Sequence, residues 1–123
     1  MIRGVVNARL EAVVRIRVRG PSAVELDVDA IVDSGFSASL TLSSAAVTAL
    51  SLIRQSGGGA VLADGSVRKF DIYDAEVEWD GIWRPVLVSL IGDEALIGMR
   101  LLAGRDLRIA VVQGGSVEIN PLP

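Results

Sequence analysis

Between Val14 and Arg19 the chain alternates apolar and basic residues without a break, Val14, Ile16 and Val18 against Arg15, Arg17 and Arg19. Successive side chains of a strand point to opposite faces, so this pattern fits a strand with one buried and one wet face and does not fit a helix. Gly20-Pro21-Ser22 then supplies turn chemistry, and Ala23 to Val32 reads as the returning strand. The first third of the chain is therefore expected to be a hairpin that ends at Asp33.

The same punctuation continues downstream. Ser39 to Leu42 can form one short extended piece, and Ser43 or Ser44 can cap a brief helix over residues 45–50. Gly57-Gly58-Gly59 reads as a flexible break, residues 60–70 as a hairpin turning near Asp64-Gly65, and residues 73–90 as another turning at Asp80-Gly81. A two-residue turn at the latter sets Trp79 opposite Ile82 and Glu78 opposite Trp83, an arrangement read as core packing rather than ligand stacking. Residues 94–104 offer a short apolar strand, a glycine and one or two helical turns stopped by Gly104. Strands over residues 107–112 and 116–120 close the chain around Gly114-Gly115.

Short strands, glycine turns and only one or two short helices predict a mostly β chain, arranged as a small closed or partly closed β-barrel. With 123 residues, half of them apolar, a single domain spanning 1–123 can bury a core without covalent staples.

Composition narrows the chemistry. The chain has no cysteine and no histidine, which removes thiol and Ser-His-Asp nucleophiles, Cys- or His-ligated metals and the usual base near neutral pH. Any catalysis must use carboxylates, hydroxyls, Lys or Arg, with no metal and no cofactor expected. A net charge of -3 gives no overall attraction to nucleic acid or to an anionic membrane. The N-terminal residues break their apolar positions with arginine and no run spans a bilayer, so a soluble, cytoplasmic protein without a membrane partner is expected.

Asp33 stands out. It follows the apolar Ala30-Ile31-Val32, and a carboxylate at the end of such a strand is costly to desolvate unless hydrogen bonds or chemistry compensate. Ser34 adds a hydroxyl, and Gly35 lacks a Cβ, so another chain or a water can approach the carboxylate and the Gly35 N–H can point at it. An Asp-Ser-Gly triplet alone is also ordinary turn chemistry. Here it is enclosed between an apolar strand and the strand-like residues 36–42.

The segments AIVDSGF, LTL before a short helix, VLADGS, LIGMRLL and the terminal GRDLRI and GGSVEI, in that order, resemble the retropepsin-like aspartic peptidases, in particular their small single-domain prokaryotic members. The resemblance covers most of the chain and implies a β-barrel of the retropepsin (acid protease) type. It makes Asp33 the catalytic aspartate, with Ser34 and Gly35 supporting the active-site loop. Leu96-Ile97-Gly98 becomes the hydrophobic-hydrophobic-Gly element beneath that loop, followed by a helix over residues 99–103. In this family two carboxylates about 3 Å apart share one proton, the charged one activating a water and the neutral one polarising the peptide carbonyl.

A chain with one such triplet, too short for two lobes, then requires a homodimer with one Asp33 from each subunit on its two-fold axis. A peptide or protein substrate would bind extended beneath a flap at residues 57–70, with its tip at Ala63-Asp64-Gly65-Ser66 or, alternatively, at Gly57-Gly58-Gly59. Three positions depart from the family pattern: Ser34 replaces the commoner Thr, Phe36 stands where retroviral enzymes have Ala, and Arg100 where they place Asn or Asp.

Two functions follow. One is an aspartic endopeptidase, a hydrolase. The other is a catalytically inactive binding or assembly module of the same fold that uses its Arg-rich N-terminal strand. Arg3, Arg9, Arg15, Arg17 and Arg19 form either a solvated face that discourages edge pairing or a patch for an acidic partner or nucleic acid.

Overall fold

The computed structural model describes residues 1–123, apart from the side chain of Ala60. In chain order the elements are β1 (Ile2–Val6), β2 (Ala12–Arg19), β3 (Glu25–Val32), β4 (Leu40–Thr41), α1 (Ser44–Ala49), β5 (Ile53–Val61) and β6 (Val67–Trp79). There follow β7 (Ile82–Ser89), β8 (Leu96–Ile97), α2 (Met99–Leu102), β9 (Arg105–Ile109) and β10 (Ser116–Pro121). The protein is mostly β, as its alternation and glycine spacing imply.

All ten strands join one sheet in the order β5-β6-β7-β4-β8-β3-β2-β1-β10-β9. β2 divides its second edge: residues 12–14 pair with β1, while Arg17, Val18 and Arg19 pair with Glu78, Val77 and Glu76 of β6. That second pairing closes β2, β3, β8, β4, β7 and β6 into a six-stranded barrel. Its interior follows the period-two pattern: Val14, Ile16 and Val18 of β2 are buried against Leu40, Val77, Val88 and Ile97. Trp79 is also buried, opposite Ile82 in the expected register, while Trp83 lies opposite Glu78 with the Arg19 guanidinium 4.0 Å over its ring. Ser43, not Ser44, caps α1 by accepting a hydrogen bond from the Ala46 N–H.

Three local expectations change, and one strand, β1, was not anticipated. β1 carried no alternation to announce it; Gly4 permits it, because a Cβ there would overlap the Val13 carbonyl oxygen of β2. Gly57-Gly58-Gly59 is not a break but the middle of β5, paired with Asp71, Phe70 and Lys69. A Cβ on Gly58 would press on the end of the half-buried Phe70 ring at 2.7 Å, and ladder hydrogen bonds to β6 offset the entropy that glycine loses. β6 is one continuous 13-residue strand shared by two hairpins, not two separate ones. The strand expected over residues 107–112 stops at Ile109, where Val112 N–H turns back to the Ala110 carbonyl.

Candidate functional site

β3 and the parallel two-residue strand β8 set the position of Asp33. Ile31 and Val32 pair with Leu96 and Ile97, and the Asp33 N–H donates to the Ile97 carbonyl at 2.9 Å. The chain then reverses: Phe36 N–H donates to the Asp33 carbonyl at 3.1 Å, and Gly35 N–H donates to Asp33 Oδ1 at 2.9 Å. A Cβ on Gly35 would lie 3.2 Å from that same oxygen, so glycine gives the carboxylate its room. Asp33 is half-buried, Ser34 and Gly35 are exposed, and among the described residues no cation pairs with the Asp33 carboxylate. Oδ2 and the unused lone pairs of Oδ1 are left for a water, a substrate or another carboxyl group.

The floor beneath this loop is Leu96-Ile97-Gly98. β8 lies between β3 and β4, parallel to the first and antiparallel to the second. Three successive amides stitch it to the loop: Gly98 N–H to the Ser39 carbonyl (2.9 Å), Met99 N–H to Phe36 (2.8 Å) and Arg100 N–H to Ala38 (3.2 Å). A Cβ on Gly98 would overlap the Ala38 carbonyl oxygen and sit 2.6 Å from the Phe36 ring. Phe36, half-buried, therefore lies against the floor at Gly98.

Sequence reasoning missed the buried Thr41. Its hydroxyl donates to the Glu94 carbonyl at 2.8 Å and accepts from the Leu96 N–H at 2.9 Å, tying β4 to the approach of β8. A lone Thr in a short strand announces no such role, because both partners lie more than fifty residues away.

Beside Asp33 lies a hollow of about 390 Å³, walled by Leu10, Val32, Leu96, Ile109 and Val111, with Glu11 and Glu94 on its border. Much of its apolar wall is bare: Leu10 is 57% exposed, Ile109 38% and Val111 62%. Leu10 also takes φ +61°, a left-handed conformation disfavoured for a branched side chain, in a turn held by Asn7. Of these apolar positions, Leu10, Ile109 and Val111 were not singled out from the sequence.

The turn between β5 and β6 spans Leu62 to Ser66, closed by Leu62 N–H to the Ser66 carbonyl (2.8 Å) and Gly65 N–H to the Leu62 carbonyl (2.9 Å). Gly65 has φ +84°, and Asp64 Oδ1 accepts from the Ser66 hydroxyl and amide, which holds the Asp64 carboxyl below its ordinary range. Ala63, Asp64, Gly65 and Ser66 are all exposed, and none of them lines the hollow beside Asp33. Within one chain the structure brings Asp33, Ser34, Gly35 and Leu96-Ile97-Gly98 together and leaves the hairpin tip apart.

The arginine row is largely compensated. Arg15 pairs with Asp29 (3.0 Å), Arg17 with Asp27 (2.9 Å) and Glu25 (3.8 Å), and Arg19 with Glu76 (3.1 Å). The hydrogen bond from Arg17 depresses the Asp27 carboxyl, and the Asp29 and Asp27 bonds raise Arg15 and Arg17. These exposed pairs add little stability, but they leave β2 no free positive stripe for phosphates.

Among the described residues no group of three or more His, Cys, Asp or Glu could hold a metal ion, and no helix is long and apolar enough to cross a membrane. No family model and no curated protein matches the sequence. Among solved structures the fold is similar to that of the EIAV protease complexed with the inhibitor HBY-793, at a TM-score of 0.49 and 19% identity, covering 75% of this chain and 85% of that one.

Proposed function

We propose that this chain is one half of an aspartic endopeptidase whose second half is another copy of itself. The observation that carries the reading is the state of Asp33: a half-buried carboxylate without a cation, oriented by the Gly35 N–H and opening onto a bare apolar hollow. A positioned carboxylate without a partner at the edge of a concave apolar surface is a candidate for chemistry. With no histidine, thiol or metal cluster at hand, peptide hydrolysis by a lone carboxylate is poor chemistry, whereas two carboxylates sharing one proton form a competent acid–base pair.

In the completed site the ionised Asp33 takes a proton from water as that water attacks the scissile carbonyl, while the protonated Asp33 of the second copy hydrogen-bonds the carbonyl oxygen. The proton is then delivered to the leaving amine. The pair titrates as a unit. The exposed Leu10, Ile109 and Val111 beside Asp33 favour burial against that second copy, since a contiguous apolar surface gains free energy on leaving water. Residues Ala63 to Ser66 at the tip of the β5–β6 hairpin would serve as the flap over an extended substrate, with Ser34 and Gly35 supporting the loop and Leu96-Ile97-Gly98 its floor.

The test is to incubate wild type and Asp33→Asn with a degenerate peptide library between about pH 4 and 7 and to follow self-association by sedimentation. The reading expects cleavage by wild-type dimers only. Dimers that leave every peptide intact would instead support an inactive binding module, and a protein that stays monomeric at high concentration would refute the shared site. The ion pairs along β2 compensate Arg15, Arg17 and Arg19, which weighs against the basic strand as the surface such a module would use.

A further inference from the structure

β7 pairs with β6 along its whole length but with β4 only at Val88 and Ser89. Arg84 to Leu87 therefore present a second edge that no strand pairs with among the described residues. Along this edge runs a groove of about 430 Å³, bounded by β7, by Ala38 and Ser39 on the outgoing limb of the Asp33 loop, and by Arg100 and Leu101 of α2.

Two features give the groove a chemistry. The first is charge. Arg84 and Arg100 both line it, no Asp or Glu does, and neither arginine enters an ion pair or side-chain hydrogen bond in the structure. Arg15, Arg17, Arg19, Arg54, Arg105 and Arg108 each sit on a carboxylate. In a chain of net charge -3, two uncompensated guanidiniums along one furrow are a local complement to anions, and their planar forks suit carboxylates. The second is the edge itself. Pro85 has no N–H to offer, so an arbitrary strand cannot simply add to this edge. Selection must come from side chains: acidic ones between the arginines, apolar ones against Ile72, Leu87 and Leu101.

We infer that this groove is a recognition site for acidic residues of the protein substrate, flanking the segment that is cut and carrying one or more Asp or Glu beside an apolar residue. The inference rests on the peptidase reading for the word substrate, and the connection is structural. Ala38 lies five residues beyond Asp33, its carbonyl accepts the Arg100 N–H, and Ile72 belongs to the strand that rises into the β5–β6 hairpin. Arg100, at the edge of the groove, thereby acquires a use of its own.

Binding can be read without turnover. A dye-labelled peptide Ala-Leu-Glu-Val-Glu-Leu-Ala and its Gln-for-Glu counterpart are titrated by anisotropy into Asp33→Asn protein. The Glu peptide is expected to bind about tenfold more tightly, with the preference shrinking as salt rises. Arg84→Gln and Arg100→Gln should each weaken it about fivefold, Arg84→Lys by less, and the unpaired Arg9→Gln not at all. Equal binding of the two peptides, or a preference that survives Arg84→Gln/Arg100→Gln together, overturns the inference. Both arginines are exposed, so unfolding midpoints of the variants provide the folding control. If the wild type cleaves peptides with no acidic preference, the groove assignment fails and the peptidase reading stands. If the acidic peptide binds through both arginines and nothing is ever cut, the reverse holds.

Discussion

Replacing Gly98 by Ala adds one methyl group, yet it should be among the most damaging small changes available to this chain. Gly98 is buried, and its backbone angles (φ -98°, ψ 174°) are open to any residue, so conformational strain is not the reason. The reason is space: the new Cβ would overlap the Ala38 carbonyl oxygen and press on Phe36, 2.6 Å from its ring and 2.8 Å from its carbonyl oxygen. Two of these three contacts are backbone atoms, so no rotamer relieves them. Relief requires the loop of residues 36–39 to lift off β8, which stretches the three hydrogen bonds donated by the amides of Gly98, Met99 and Arg100.

At about 1 kcal/mol net for each bond, in the range that overpacking of a tight interior costs, the change amounts to about 3 kcal/mol. For a domain of this size that lowers the thermal midpoint by roughly 10 to 15 °C. The comparison variant is Gly65→Ala, at φ +84° with nothing near its Cβ, where strain alone predicts about 1 kcal/mol. Urea unfolding followed by tryptophan fluorescence measures both, with buried Trp79 as the main reporter. If Gly98→Ala were no worse than Gly65→Ala, the picture of β8 wedged against the Asp33 loop would be wrong.

Thr41→Val keeps shape but leaves the Glu94 carbonyl and Leu96 amide without their hydroxyl partner, and should cost about 1 to 3 kcal/mol in the same urea assay. A loss below about 0.5 kcal/mol would show that water replaces the bridge. The Arg17 hydrogen bond depresses the Asp27 carboxyl, so its contribution is present above the unfolded-state pKa and fades as pH falls through the lower folded value. Carboxyl-carbon NMR titration should therefore show Asp27 titrating higher in Arg17→Gln than in wild type; an unchanged midpoint would mean the pair does not persist in solution. If Asp33 is half of a shared acid–base pair, Asp33→Asn should fold and associate while abolishing peptide cleavage, because Asn keeps the acceptor for Gly35 N–H but cannot carry the proton.

What the sequence made legible is what local chemistry dictates. Arginine alternation defined β2, Asp80-Gly81 set the Trp79–Ile82 register, and the Asp33-Ser34-Gly35 turn was visible because a carboxylate there needs a reason. What stayed hidden depends on partners remote in the chain. The glycine run of β5 is strand because β6 pairs with it, against the weak propensity of glycine, and β1, short and interrupted by Gly4, is fixed by pairing with β2 and β10. The buried bridge of Thr41 joins segments 53 and 55 residues apart. Whether the arginines of β2 form a solvated face or a basic patch stayed open, because the carboxylates that neutralise them come from β3 and β6. Leu10, Ile109 and Val111 gather beside Asp33 only once β1, β2, β9 and β10 are assembled.

The measurement closest to the central claim is a crystal structure of the protein at a concentration where it self-associates, with attention to one distance. The account predicts a two-fold dimer in which the two Asp33 carboxylates face each other about 3 Å apart, near enough to share a proton, with Leu10, Ile109 and Val111 covered by the partner. A dimer that holds the two carboxylates beyond hydrogen-bonding reach, or that leaves the Asp33 hollow open to solvent on both copies, would contradict it.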